Sequence, residues 1–556
     1  MSLLVIAAQV LAVLTGTADT RALHADPDGT VWAGTTGGLV RGAGDSRVVF
    51  TPADGLPDGT VRALLRKGDT LWVGTDRGVA ECTTVGNELH IDSVLGPRLR
   101  VEALAIHEGK LWLGTTTGLY VREGDALRQL PRFERVTALA SAGDSLYVAS
   151  PGRGVYQLRG QRRRRLRGDS LAWDLALDGD QLWVATSRGL ETYRGARRLP
   201  SAAVRGSRRI PGRDLRSVRI HEGAPVVGSF GGGAWRFDGR RFVAAPGIGT
   251  DARVQALAVG PEGWIAGTPD GVVGHGVPTP SATLPDNDLS ALARTREGLW
   301  IGTFDHGLVL LRADGSFQTF DEAGGLLDDR VNRLAVDADG ELWVATDRGV
   351  VERQGRGFEL RGLLDRHVFA LGFVDGAIHA GAGAEVFAFI DGSFHHVDQP
   401  GERPQDFAER SAGGVLVASA EGLAQRAEGR WALTTSDEGL SDDWVTAVTV
   451  ASDATYVGTY ASGVARMTEE RVEVLREDLW VNAGALAWLP NPSGDHLLAV
   501  GTLDDGLWLH ATADAAWERI GTAQGLPDDD VTALLKDSDG TLWVATRGGL
   551  AHVDPR

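Results

Sequence analysis

The apolar positions of the chain recur in one short phrase. "TLWVGTDRGVAEC" at 70–82, "ELWVATDRGVVER" at 341–353 and "TLWVATRGGLAHV" at 541–553 share an apolar residue, Trp, an apolar residue, Gly or Ala, then Thr or Ser. Aligned on that core, the tryptophan position falls at Trp32, Trp72, Trp112, Tyr147, Trp183, Val226, Ile265, Trp300, Trp343, His379, Leu416, Tyr456, Ala499 and Trp543. Fourteen copies follow one another at about 40 residues each, the signature of an array of like units.

The order within a copy is constant. A leading stretch such as "GLPDDDVTALL" runs into a "DSDG" turn, the "TLWVAT" run, an "RGG" turn, an "LAHV" run and a variable stretch. Short β-rich runs bounded by Gly and Asp read as the strands of a meander, and four of them in one copy leave no room for helices. The central run is apolar on both faces, as in a strand covered from both sides. Gly or Ala after it admits a neighbouring sheet closely, and wedge geometry assigns the Trp to the wider gap further out. One such sheet cannot bury both faces alone, so the copies must stack, and four-stranded sheets stacked radially are propeller blades. Propellers typically hold about four to eight blades. Fourteen copies therefore predict an all-β chain of two seven-bladed β-propellers in tandem, with an eight-plus-six split or one larger ring as alternatives. The proline-dense "HGVPTPSATLP" at 275–285 separates the seventh copy from the eighth and predicts domains at 1–278 and 279–556.

Three stretches, "LPDDDVTALLKDSDGTLWVATRGGLAHVD" (526–554), "GLLDDRVNRLAVDADGELWVATDRGVVE" (325–352) and "DPDGTVWAGTTGGLV" (26–40), resemble the two-component-regulator propeller repeat of bacterial sensor proteins. The resemblance extends over essentially the whole chain. It implies paired seven-bladed propellers of the kind that form the extracytoplasmic sensors of hybrid histidine kinases, often responding to glycans. The sequence stops shortly after the last "LAHV", with no membrane helix, kinase, receiver or small β-sandwich following. The expectation is a recognition module that signals through a separate protein.

The opening "MSLLVIAAQVLAVL" is too short to span a bilayer and has no Lys or Arg before its apolar run. Two readings compete: a secretory signal cleaved after Ala12, which implies a periplasmic or extracellular protein, or an outer strand at residues 3–9 that closes a ring, which leaves the cytoplasm open. Composition adds little to this choice. With 75 Gly and 16 Trp against 2 Met and 1 Cys, the chain suits many strands joined by tight turns. Cys82 has no partner for an internal disulfide, so cysteine usage neither demands nor excludes an oxidising compartment. A net charge of −18 argues against non-specific nucleic-acid binding by the whole molecule.

Catalytic signatures are weak. The "GDSL" matches at 143–146 and 168–171 occupy a hairpin turn and a blade-leading loop rather than a serine-hydrolase context. The Asp pairs Asp26/Asp28, Asp337/Asp339 and Asp537/Asp539 lack a calcium loop and fit turn chemistry. No HExxH, P-loop, GxSxG or dinucleotide fingerprint occurs. We therefore expect no enzyme, metal or cofactor; a propeller lyase is the remaining catalytic alternative, with His367 as its base.

Binding chemistry is easier to place. The first strand of a propeller blade lines the central channel, so residues at its start surround the mouth. In the first ring the variable position of a "V-x-A-L" slot is Arg21, Arg62, Glu102, Thr137, Trp173, Arg216 or Gln255. In the second it is Ser290, Asn332, Phe369, Thr446 or Thr532, with His367, Trp444 and Trp480 just before the strands and Asp288, Asp443 and Asp530 nearby. Such a mouth suits a glycan or a small anionic ligand. A second candidate is electrostatic. Residues 151–242 carry 20 Arg, no Lys and eight acidic residues, a net of +12 that leaves −30 for the rest of a chain of net −18. Arg159, Arg162, Arg163, Arg164, Arg165, Arg167, Arg205, Arg208 and Arg209 form its densest runs. They predict either a docking face for an acidic protein partner, an anionic glycan or a nucleic acid, or an edge strand protected by charge.

Overall fold

The repeat folds as it does for reasons visible one residue at a time. In the last copy, Val531–Lys536, Leu542–Thr546 and Gly549–Asp554 pair antiparallel in sequence order. Trp543 donates its Nε1–H to Asp537 of the preceding turn at 2.8 Å, as Trp32 does to Asp26 and Trp343 to Asp337. Asp28 and Asp539 each accept the backbone N–H two residues on, so the Asp pairs act as hairpin residues. Thr546 closes the next turn by donating to the carbonyl of Gly549 at 2.8 Å. Gly549 has φ 134°, a backbone that only glycine adopts freely.

The Gly of the motif has a different task. A Cβ at Gly302 would lie 2.7 Å from Cγ1 of Val331, the first residue of the next blade's inner strand. Gly34 faces Val61 at 2.6 Å and Gly74 faces Val101 at 2.9 Å in the same way, and Gly114 faces Val136, two residues ahead of the inner strand Ala138–Ala142, at 2.6 Å. Neighbouring blades therefore touch backbone to side chain at their inner edges, and any larger residue would push them apart.

In the computed structural model, the described residues are 8–43, 46–85, 88–166, 171–195, 197–200, 202–261, 263–274, 284–410, 413–427, 429–452, 454–489, 496–512 and 516–555. They form thirteen four-stranded sheets and one three-stranded sheet, the last being Ala256–Gly260, Gly263–Thr268 and Gly271–Gly274. Residues 17–274 close one ring of seven sheets, here ring one; residues 8–16 with 284–555 close a second, ring two. In ring one the inner strand Ala256–Gly260 packs against Thr20–Ala25, and in ring two Val531–Lys536 packs against Leu289–Thr295. Among the described residues the core is fourteen apolar clusters, one at each junction between neighbouring blades. No helix among them is long and apolar enough to cross a membrane.

Three expectations change. The closing strand is Gln9–Leu14 rather than 3–9; it pairs antiparallel with Gly549–Asp554 as the outermost strand of ring two's last blade. Asn287 of the same ring bonds both the carbonyl (2.8 Å) and the N–H of Gly16 just beyond it. A cut after Ala12 would remove four of that strand's six residues. Second, because this strand belongs with residues 284–555, the division is not 1–278 and 279–556; ring one interrupts ring two in sequence. The junction at 275–283 lies outside the described residues. Third, one short helix does occur. Ala202–Ser207 buries Ala203 and Val204 at a ring-one blade junction, covering apolar surface beside an outer strand, Arg197–Arg198, only two residues long.

The close approach at the inner edge is testable. Gly302→Ala should cost about 1–3 kcal/mol in urea unfolding, whereas Gly357→Ala, where a Cβ meets nothing within 4 Å, should be near neutral. Equal effects at the two sites would contradict this packing.

Candidate functional site

The inner strand of most blades opens with a one-residue irregularity. In ring one the register shifts between Thr20 and Ala22, Val61 and Ala63, Val101 and Ala103, Ala172 and Asp174, and Leu215 and Ser217. The extra residue is in each case the one in the variable slot: Arg21, Arg62, Glu102, Trp173 and Arg216. A bulge leaves that residue out of the ladder and re-aims its side chain. With Thr137, Gln255, Arg135 and Phe230 they line a cavity of about 360 Å³ at the mouth of ring one. Arg135 and Phe230 are not in the slot, and nothing in the repeat pattern marks them.

Charge in this mouth is already matched. Arg21 pairs with Asp19 at 2.7 Å, Arg62 with Asp76 at 2.9 Å, Arg135 with both oxygens of Glu102 at 2.8 Å, and Arg216 with Asp214 at 2.6 Å. Gln255 donates to the second oxygen of Asp19 at 2.6 Å. The guanidinium of Arg216 lies 4.1 Å from the centre of Trp173, whose indole N–H is spent on Asp214 at 2.8 Å. One face of that indole is therefore covered.

Ring two uses the same bulge differently. Shifts between Leu289 and Ala291, Val331 and Arg333, Val368 and Ala370, Val445 and Ala447, and Val531 and Ala533 present Ser290, Asn332, Phe369, Thr446 and Thr532. Ser290, Asn332, Phe369 and Thr532 line a cavity of about 980 Å³ together with His367 and Trp444. Thr446 does not; it is buried and donates to the carbonyls of Val481 (2.9 Å) and Gly458 (3.3 Å). Gln405 and Asn482 hold the slot in two copies whose sequences, "PQDF" and "VNAGAL", depart from the pattern. His367 lies 3.0 Å from Asp347, which also accepts from Asn332 at 2.9 Å.

Trp480 is not on the cavity wall but ends an aromatic stack that begins there. Trp444 and Tyr460 stack at 4.5 Å and 18°, and Tyr460 and Trp480 at 5.8 Å and 30°. All three are large and exposed, at 38%, 37% and 48%. Tyr460, in the turn after a central run, escapes notice in the sequence because that turn varies from copy to copy.

The acids of this mouth have separate roles. Arg547 forks Asp288 at 2.8 and 2.9 Å and reaches Asp530 at 3.0 Å, lying 4.5 Å over Phe304. Burial pushes both carboxyls from an ordinary 3.8 up to about 6, against the pull of Arg547. Asp443 instead accepts the N–H of Ser436 at 2.7 Å, which holds its carboxyl below the ordinary range, and serves the loop before its strand.

The sequence profile of the two component regulator propeller matches residues 325–348 and 525–548, both spanning an inner and a central strand of ring two. The chain carries two-component-regulator propeller repeats. No curated protein matches the sequence. Among solved structures, PorZ of Porphyromonas gingivalis, described as an essential surface component of the type-IX secretion system, aligns at TM-score 0.72 and 14% identity over 97% of this chain and 86% of its own. The GH74 enzyme of Niastella koreensis aligns at TM-score 0.69 and 13% identity over 98% and 99%. At such identities the likeness is one of fold.

The propeller repeats also explain where the arginine-rich sector sits. Arg162–Leu166 is the outermost strand of a ring-one blade, with Arg162, Arg163, Arg164 and Arg165 exposed. Arg163 packs over Phe133 and Tyr156 at 4.3 and 4.1 Å, and Arg159 bonds Ser145 at 2.8 Å. Arg162, Arg164 and Arg165 have no ion-pair partner among the described residues, nor do the exposed Arg205, Arg208 and Arg209. Arg167 lies outside the described residues.

The Arg547 bridge has a pH signature. Folded Asp288 and Asp530 hold their protons to about pH 6, whereas unfolded carboxyls release them near 3.8. Ionising them therefore weakens the fold as pH rises between those values, and Arg547 limits the loss. Arg547→Gln should cost little in thermal midpoint at about pH 4.5 and clearly more at about pH 7.5. A pH-independent difference would contradict the assignment.

Proposed function

We propose that this protein is a non-enzymatic recognition protein and that the mouth of ring two binds a saccharide. The exposed stack of Trp444, Tyr460 and Trp480 at the edge of a large cavity carries this reading. Contiguous exposed aromatic surface is costly to leave in water and marks a contact site. Flat rings pack against the C–H faces of sugars, while Ser290, Asn332, Gln405 and Asn482 offer bonds to hydroxyls. Ring one suits a small ligand less well, because its guanidinium groups already hold carboxylates.

One arrangement speaks against catalysis. Asp288 and Asp530 share Arg547, whose guanidinium takes the place a glycosidic oxygen needs between an acid and its partner. In fluorescence titration with oligosaccharides, Trp444→Ala and Tyr460→Ala should each weaken binding about tenfold or more without lowering the thermal midpoint, and Arg62→Ala should leave it unchanged. Loss with Arg62→Ala but not Trp444→Ala would move the site to ring one.

A second reading rests on the unpaired arginines of ring one, which suit an acidic protein partner. Arg162, Arg164 and Arg165 stand on an outer strand, where charge also blocks strand pairing. Poly-glutamate should bind at low salt and release at high salt, and changing Arg162 to Arg165 to Ser should abolish this. Retained binding in that variant would leave edge protection as the role of the sector.

A further inference from the structure

The mouth of ring two holds two arginines that the aromatic stack leaves unexplained. Four arginines line the cavity: Arg330, Arg333, Arg403 and Arg547. Arg547 is bound to Asp288 and Asp530, and Arg330 lies 3.4 Å from both Asp305 and Asp347. Arg333 and Arg403 have no carboxylate partner among the described residues.

Arg333 starts on the second blade's inner strand and reaches across the channel. Its guanidinium donates to the carbonyls of Ser290 (3.3 Å), Asn332 (3.1 Å) and Ala483 (2.5 Å), which belong to three inner strands of ring two. Three neutral acceptors fix the group but do not neutralise it, and burial disfavours its charge. Asp406 acts on it from a distance but spends its oxygens on the N–H groups of Val448 (3.0 Å) and Phe407 (2.9 Å). Nε–H and one hydrogen of Nη2 are left without an acceptor among the described residues.

Arg403 reaches the cavity from a turn. Its φ is 53°, in the left-handed region, and Gln405 donates to its carbonyl at 3.0 Å.

We infer that the saccharide recognised at this mouth is acidic, its carboxylate seated on Arg333 and met by Arg403 from the rim. The inference rests on the reading of this mouth as a saccharide site. Arginine matches a carboxylate with paired N–H donors, and a buried guanidinium already fixed by carbonyls loses little freedom on binding one.

The test compares charge at constant shape. Oligogalacturonate, hyaluronan fragments and sialyllactose are titrated against the wild-type chain beside their carboxyl methyl esters. At least one acid should bind about tenfold or more tighter than its ester, and Arg403→Ala should remove most of that advantage. Arg333→Met should do the same; if it unfolds, the ester comparison and Arg403→Ala still decide. The advantage should persist when Arg162 to Arg165 are changed to Ser, which separates this site from ring one's basic strand. Acid and ester binding equally, both weakened by Trp444→Ala, would overturn the acidic ligand and leave the saccharide site standing. An acid preference lost with Arg403→Ala but indifferent to Trp444→Ala would support the carboxylate seat and overturn the aromatic reading. Binding by none of the probes would overturn both.

Discussion

The contact on which this structure depends is the one between a glycine or alanine of a central strand and the first residue of the next blade's inner strand. At Gly34 and Gly302 there is no room for even one added carbon. Where alanine stands instead, as at Ala185, Ala345 and Ala545, it is wholly buried. This approach sets how tightly blades converge at the channel, and convergence sets how wide the wedge becomes further out, where Trp32, Trp183 and Trp343 fill it. Once these positions are committed to packing, little of the repeat is left to vary. The slot at the inner-strand bulge is one place where variation is free, because its side chain leaves the ladder and points into the mouth.

The two mouths use this freedom in opposite ways. Ring one fills its slots with arginines and then neutralises them with Asp19, Asp76 and Asp214 from adjoining loops, while its slot acid Glu102 is met by Arg135. Its indole lies under a guanidinium. Ring two has mostly small polar slot residues, a wide cavity, an aromatic stack at its edge and, among the described residues, two guanidinium groups without carboxylates. A closed ionic lattice rigidifies a mouth; an open one with spare donors and bare rings is equipped to receive a ligand.

Sequence periodicity revealed the fold almost completely, since each residue aligned at the tryptophan position lies on a central strand. It revealed the slot residues too, because packing makes the rest of the strand repetitive and the exception conspicuous. It did not reveal Tyr460, Arg333, Arg403 or Arg547. Tyr460 and Arg547 lie in turns whose composition is free. Arg333 stands where the pattern expects an apolar residue, a deviation visible in "VNRL" but easily taken for noise. The ring to which Gln9–Leu14 belongs was also hidden, because an outer strand reads alike in either ring and only pairing with Gly549–Asp554 decides it.

The most direct test of the ring-two mouth as the receptor surface is a hydrogen-exchange footprint with a saturating oligosaccharide. The account predicts slowed exchange at 443–462, 478–484 and 330–334, around the stack and Arg333, with the loops at 19–21, 60–62 and 214–216 unchanged. Protection confined to those ring-one loops would contradict it.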